Sequence, residues 1–89
     1  MVVEFDKSFI KSIDRLKSPD IFSRIEKIIL DFEAAKSLSE IQNIKKLTGF
    51  SGYFRIKMEN YRIGLELIDS KTVRFILIAH RKDIYKKFP

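Results

Sequence analysis

The stretch that decides the fold is YFRIKMENYR, residues 53–62. Apolar and polar side chains alternate on both sides of Glu59-Asn60, the pattern of two half-buried strands joined by a tight turn. With that turn, Met58 faces Tyr61, Lys57 faces Arg62, Ile56 faces Ile63, Arg55 faces Gly64 and Tyr53 faces Glu66. Phe54, Ile56, Met58, Tyr61, Ile63, Leu65 and Leu67 then share one side of the hairpin, while Tyr53, Arg55, Lys57, Arg62, Gly64 and Glu66 share the other. A slip of one residue would mix the two sets, so burial of the first set specifies the register. The register makes Lys57 and Arg62 direct cross-strand neighbours, and like charges so placed oppose folding by about 0.2 to 1 kcal/mol. Gly64 beside Arg55 weakens the strand and leaves a hollow where a ligand backbone can approach. These choices favour a face that receives an anion.

Working outward, Thr72 to His80 reads as a third strand, and a turn at Asp69-Ser70-Lys71 places Leu65 opposite Phe75, Ile63 opposite Leu77 and Glu66 opposite Arg74. Upstream, residues 37–49 (SLSEIQNIKKLTG) read as a connecting loop, pinned to the core by Leu38, Ile41, Ile44 and Leu47. Ile21, Phe22, Ile25, Ile28, Ile29 and Phe32 recur at helical spacing and predict a helix that starts after the Ser18-Pro19 cap and ends near Lys36. Phe9, Ile10, Ile13 and Leu16 predict another, from about Lys7 to Lys17, capped by Asp6. Val2, Val3 and Phe5 suit a short first strand. The fold class is α+β: two N-terminal amphipathic helices on one face of a small antiparallel sheet (the short N-terminal strand plus a three-stranded meander), then a short C-terminal helical tail. Residues 1–89 form one domain.

Composition narrows the chemistry. Eighteen Lys and Arg against twelve Asp and Glu give a formal charge of +6, which favours polyanionic partners, nucleic acid first. The absence of cysteine excludes thiol nucleophiles, disulfides and Cys-based zinc sites, and a single histidine excludes a His-rich metal site. The opening MVVEFDKSF has an acid at its fourth residue and no apolar h-region, and no later run reaches the ~18 apolar residues of a membrane span, so a cytoplasmic protein is expected.

Arg55, Lys57 and Arg62 are the candidate anion contacts. The third strand carries His80 and Arg81 toward the same hairpin end, and Tyr85 follows one turn later in DIYKKF. Each has an ordinary alternative. A lone strand lysine is usually solvated. His80 either caps the sheet or shares in proton transfer, and Tyr85, with Phe88 behind it, is either a site residue or an aromatic at the core edge. Glu66 pairs more simply with Arg74 than it serves as a base. Lys45 and Lys46 either touch a nucleic-acid backbone or belong to a polar loop.

In combination, the "IKKLTG" loop, "YFRIKMENYRIG" and the ending "HRKDIYKKF" resemble the RelE/ParE superfamily of toxins from type II toxin–antitoxin pairs, over essentially the whole chain. The resemblance implies a RelE-like fold. Its RelE-like branch cleaves messenger RNA in the 30S decoding site without metal or other cofactor; its ParE-like branch inhibits DNA gyrase. A basic nucleic-acid-binding module without catalysis is a third reading. The ribonuclease branch is favoured because Arg55 and Lys57 match its paired basic strand positions, Arg62 its hairpin arginine, Arg81 its late arginine and Tyr85 its tail tyrosine, with His80 able to share acid–base work. The resemblance further implies a cognate antitoxin, a toxin–antitoxin hetero-oligomer, mRNA on the ribosome as substrate, and no membrane.

Overall fold

A computed structural model describes residues 1–89. Strand β1 (Val2–Phe5) leads through Asp6 into helix α1 (Lys7–Asp14), and helix α2 (Pro19–Ala34) follows. A single 3₁₀ turn at Leu38–Glu40 precedes strands β2 (Ile44–Lys46), β3 (Tyr53–Met58), β4 (Tyr61–Asp69) and β5 (Thr72–His80), and helix α3 (Ile84–Lys87) ends the chain. The α+β arrangement is as the sequence indicates. The sheet, however, is larger and mixed: five strands in the order β1-β5-β4-β3-β2, with β1 parallel to β5 and the other pairs antiparallel.

Both helix starts are set by side chains. Asp6 accepts a hydrogen bond from the Ser8 N–H at 3.1 Å, and Ser18 Oγ accepts from the Ile21 N–H at 3.4 Å with Pro19 in the first turn. The first helix stops at Asp14, short of the expected Lys17, because the chain turns through a left-handed Lys17 (φ 49°) to enter the second cap.

The β3–β4 register is the one read from the sequence, from Tyr53 opposite Glu66 to Met58 opposite Tyr61. Between β4 and β5, Leu65 faces Phe75 and Glu66 faces Arg74 as expected, but Ile63 faces Ile78 rather than Leu77, and Gly64 takes Leu77. A bulge inserts Ile76 at that point, and a second irregularity shortens the 69–72 turn so that Asp69 faces Thr72. Alternation continues on the partner strand through a bulge, so pattern alone does not reveal it. Residues 37–49 are likewise more ordered than a connecting loop: Ile44, Lys45 and Lys46 pair with Ile56, Arg55 and Phe54. Three residues are too few to show a period, and the ladder is supplied by β3.

One face of the sheet packs on α1 and α2. Phe9, Ile21, Ile25 and Phe32 from the helices meet Ile56, Met58, Ile63, Leu65, Val73, Phe75 and Ile78 from the strands. Phe75 is the hub, edge-on to Phe9 at 5.4 Å and to Phe32 at 5.2 Å between ring centroids. Since β1 ends at Phe5, the upper half of β5 has no strand on that side, and α1 takes its place: Ser12 Oγ accepts from the Ile78 N–H at 3.1 Å, and Ser8 Oγ reaches the Ile76 carbonyl. Serines four apart on one helix face thus satisfy an open strand edge.

A second, smaller cluster covers the opposite face. Leu47, Ala79, Ile84 and Phe88 bury one another, with Tyr53, Ile76 and Leu77 against them. This cluster seats α3 on the side of the sheet that carries the hairpin cations.

Candidate nucleic-acid interface

The outer face carries two cross-strand rows. One runs Lys45, Arg55, Gly64, Leu77 across β2 to β5, and the next runs Lys57, Arg62, Ala79 across β3 to β5. Lys45, Arg55, Lys57 and Arg62 therefore share one surface, and Ile84 and Phe88 seat α3 on the same face, clustered with Leu47 and Ala79. Lys57 and Arg62 stand directly opposite one another as expected.

Arg62 bends to its own turn. Its Nη1 donates to the Glu59 and Tyr61 carbonyls, both at 2.8 Å, which leaves the Nη2 and Nε donors of the guanidinium free. Glu59 of the same turn adopts φ 55°, and its carboxylate holds the turn to α2 by pairing with Arg24 at 3.0 Å. Arg62 thus has a structural role that strand patterning does not disclose.

Tyr85 is 71% exposed, and the Arg55 guanidinium lies 4.5 Å from the centre of its ring. The tyrosine belongs to the cationic surface and not to the core edge. Its neighbours explain why. Ile84 and Phe88, four residues apart, turn inward and are 0% and 5% exposed, so Tyr85 between them projects along the sheet toward Arg55. The hollow expected beside Arg55 for a ligand is filled by this tail: a Cβ on Gly64 would fall 2.5 Å from Phe88 Cγ. The glycine serves close approach of the chain's own ring, with Tyr53 edge-on to the same ring at 5.7 Å.

Arg81 is exposed and is carried to the hairpin tip by its N–H, which donates to the Asn60 carbonyl at 2.7 Å. His80 is placed differently. It stands opposite Tyr61, on the side of the sheet that faces the helices, with its ring edge-on to Tyr61 at 5.8 Å, and its Nδ1 accepts from the Lys82 N–H at 3.2 Å. These are contacts of a strand-end cap, made on the face opposite the Arg55 surface. Lys46 sits opposite Phe54, also turned away from the Arg55 surface, whereas Lys45 lies beside Arg55. Arg74 bonds Glu4 of β1 at 3.0 Å rather than its other neighbour Glu66, so the expected Glu66–Arg74 ion pair is replaced by one across the parallel edge. No three His, Asp or Glu side chains converge in a way that would hold a metal ion, and no helix is long and apolar enough to cross a membrane.

The fold that carries this surface is shared with known proteins. No family model matches the chain. The toxin RelE3 of Methanocaldococcus jannaschii is 39% identical over 90 residues, covering 100% of both chains. The toxin of the solved RelB–RelE antitoxin–toxin complex from Methanococcus jannaschii superposes with a TM-score of 0.80 at 37% identity, over 97% of this chain and 99% of that one. The RelBE2 toxin–antitoxin complex of Mycobacterium tuberculosis contains the same fold, with a TM-score of 0.70 at 20% identity over 90% of this chain and 96% of that one. The chain belongs to the RelE family of toxins from type II toxin–antitoxin systems.

Proposed function

We propose that the chain is an endoribonuclease that cleaves messenger RNA in the ribosomal decoding site, in the cytoplasm, by attack of a 2′-hydroxyl on the adjacent phosphate. The supporting observation is the stacking of exposed Tyr85 on Arg55 within the surface that also carries Lys45, Lys57 and Arg62. In that reaction the 2′-oxygen bonds to phosphorus and the 5′-oxygen leaves, giving a 2′,3′-cyclic phosphate and a 5′-hydroxyl. The 2′-hydroxyl loses a proton, the 5′-oxygen gains one, and the phosphorane-like state gains negative charge. Arg62, through Nη2 and Nε, and Arg81 at the hairpin tip suit the phosphate oxygens, because guanidinium forks match them in pairs. Lys57 and Arg55 supply charge and orientation, and the Tyr85 hydroxyl is the group for proton transfer. Bound phosphate also removes the repulsion between Lys57 and Arg62.

A cognate antitoxin follows from the same reading, since both solved relatives are toxin–antitoxin complexes. The charge of +6 favours an acidic partner, and a hetero-oligomer is the silenced form. Sequencing transcript 5′ ends after induced expression tests the activity: new ends within translated codons, absent for Arg81→Ala and Tyr85→Phe, support it. Growth arrest with inhibited DNA supercoiling and no new RNA ends would replace it with gyrase inhibition.

A further inference from the structure

We infer that Phe88, seated over Gly64, is the positioning residue that holds Tyr85 against Arg55; the inference rests on the ribonuclease reading. Helix α3 has four residues, and its N-cap Asp83 makes no side-chain capping bond. A helix that short has no stability of its own, since isolated helices need roughly 12–15 residues. An exposed cation–π contact is too weak to order it. What remains is burial of Ile84 and Phe88 on the sheet.

The seat is specific. Arg55 is the direct cross-strand partner of Gly64, so a ring centred on Gly64 sets the tail one strand away from Arg55, with Tyr85 directed at its guanidinium. Three carbons of the Phe88 ring lie 2.5 to 2.6 Å from where a Cβ on residue 64 would be, closer than any side chain tolerates. Residues 64 and 88 therefore act as one device, glycine as the socket and phenylalanine as the plug, and Tyr85 is positioned through them.

The test compares wild type, Phe88→Ala, Phe88→Leu, Gly64→Ala and the Gly64→Ala/Phe88→Ala double variant by NMR and by cleavage of mRNA on programmed ribosomes. Phe88→Ala and Gly64→Ala each move the Arg55 side-chain resonances to random-coil positions, as the Tyr85 ring current is lost, while amide signals of α1 and α2 stay in place. Each slows cleavage at saturation roughly tenfold to a hundredfold with KM unchanged, as expected for a misplaced reacting group. The double variant is no slower than the worse single, because both changes break one contact, and Phe88→Leu restores most of the rate. Arg55 resonances unmoved in Phe88→Ala, or a released tail with the wild-type rate, overturn the inference. If wild type does not cleave RNA, the ribonuclease reading fails, and the Arg55 resonances still decide whether Phe88 holds Tyr85.

Discussion

Ser12 Oγ accepts a hydrogen bond from the Ile78 N–H at 3.1 Å while donating to the Phe9 carbonyl at 2.8 Å, so one buried hydroxyl joins helix α1 to strand β5 where no neighbouring strand exists. Ser12→Ala removes the acceptor and leaves a buried N–H without a partner, at a cost of about 1–3 kcal/mol. For a chain of this size each kcal/mol lowers Tm by about 4–8 °C. Urea unfolding followed by circular dichroism measures the loss; an unchanged midpoint would show that water serves Ile78 equally well.

Arg62 separates structure from charge. Its Nη1 bonds reach two carbonyls of an exposed turn, which water can solvate, so Arg62→Ala lowers stability by only about 0.5–1.5 kcal/mol. Binding of a single-stranded oligoribonucleotide, measured by anisotropy across a salt series, should lose about 0.7 from its log–log slope, the contribution of one phosphate contact. Arg62→Lys keeps the slope, but its ammonium cannot present a fork, so cleavage stays impaired. A slope unchanged in Arg62→Ala means that the residue only braces the turn.

Tyr85 is mostly exposed, so Tyr85→Phe leaves thermal stability and the stacking on Arg55 intact. Removal of a proton-transfer group lowers the cleavage rate by about 10²–10⁴-fold. Single-turnover cleavage on programmed ribosomes is the measurement, and a wild-type rate would assign the proton transfer to another group.

Acid stability follows two carboxylates. The Ser8 hydroxyl and N–H donate to Asp6 and hold its carboxyl below the ordinary value of 3.8, and the Lys71 N–H, then the Thr72 hydroxyl, do the same for Asp69. A carboxyl that ionises more readily when folded leaves the unfolded chain holding more protons between the two values, so stability rises with pH there. This contribution is complete above the unfolded value of about 3.9 and disappears as pH falls through the lowered folded values. Asp6→Asn should flatten the acid limb of a stability–pH curve and leave its neutral region parallel to wild type. A steep limb in the double Asp6→Asn/Asp69→Asn variant would place acid sensitivity elsewhere.

Most of the architecture was legible because burial imposes a period. The β3–β4 register, the two helix caps and the separation of Phe54, Ile56 and Met58 from Arg55 and Lys57 all appear in the structure as in the sequence. The missed features involve partners distant in the chain. Strand β2 exists through β3, β1 lies beside β5 some 70 residues away, and the Ile76 bulge is invisible without its neighbour. At the candidate site, a Gly64 whose hollow is occupied by Phe88 reads the same in sequence as one awaiting a ligand. His80 and Arg81 are adjacent in sequence, yet only the pairing at the strand end shows that His80 stands opposite Tyr61, away from the cations.

The sequence by itself determined which side chains share a face, because in-and-out alternation at a period of two leaves one register that buries the apolar set. Tertiary structure alone decided that the tail would close over Gly64 and deliver Tyr85 to Arg55, because a four-residue helix takes its place from the surface it packs on.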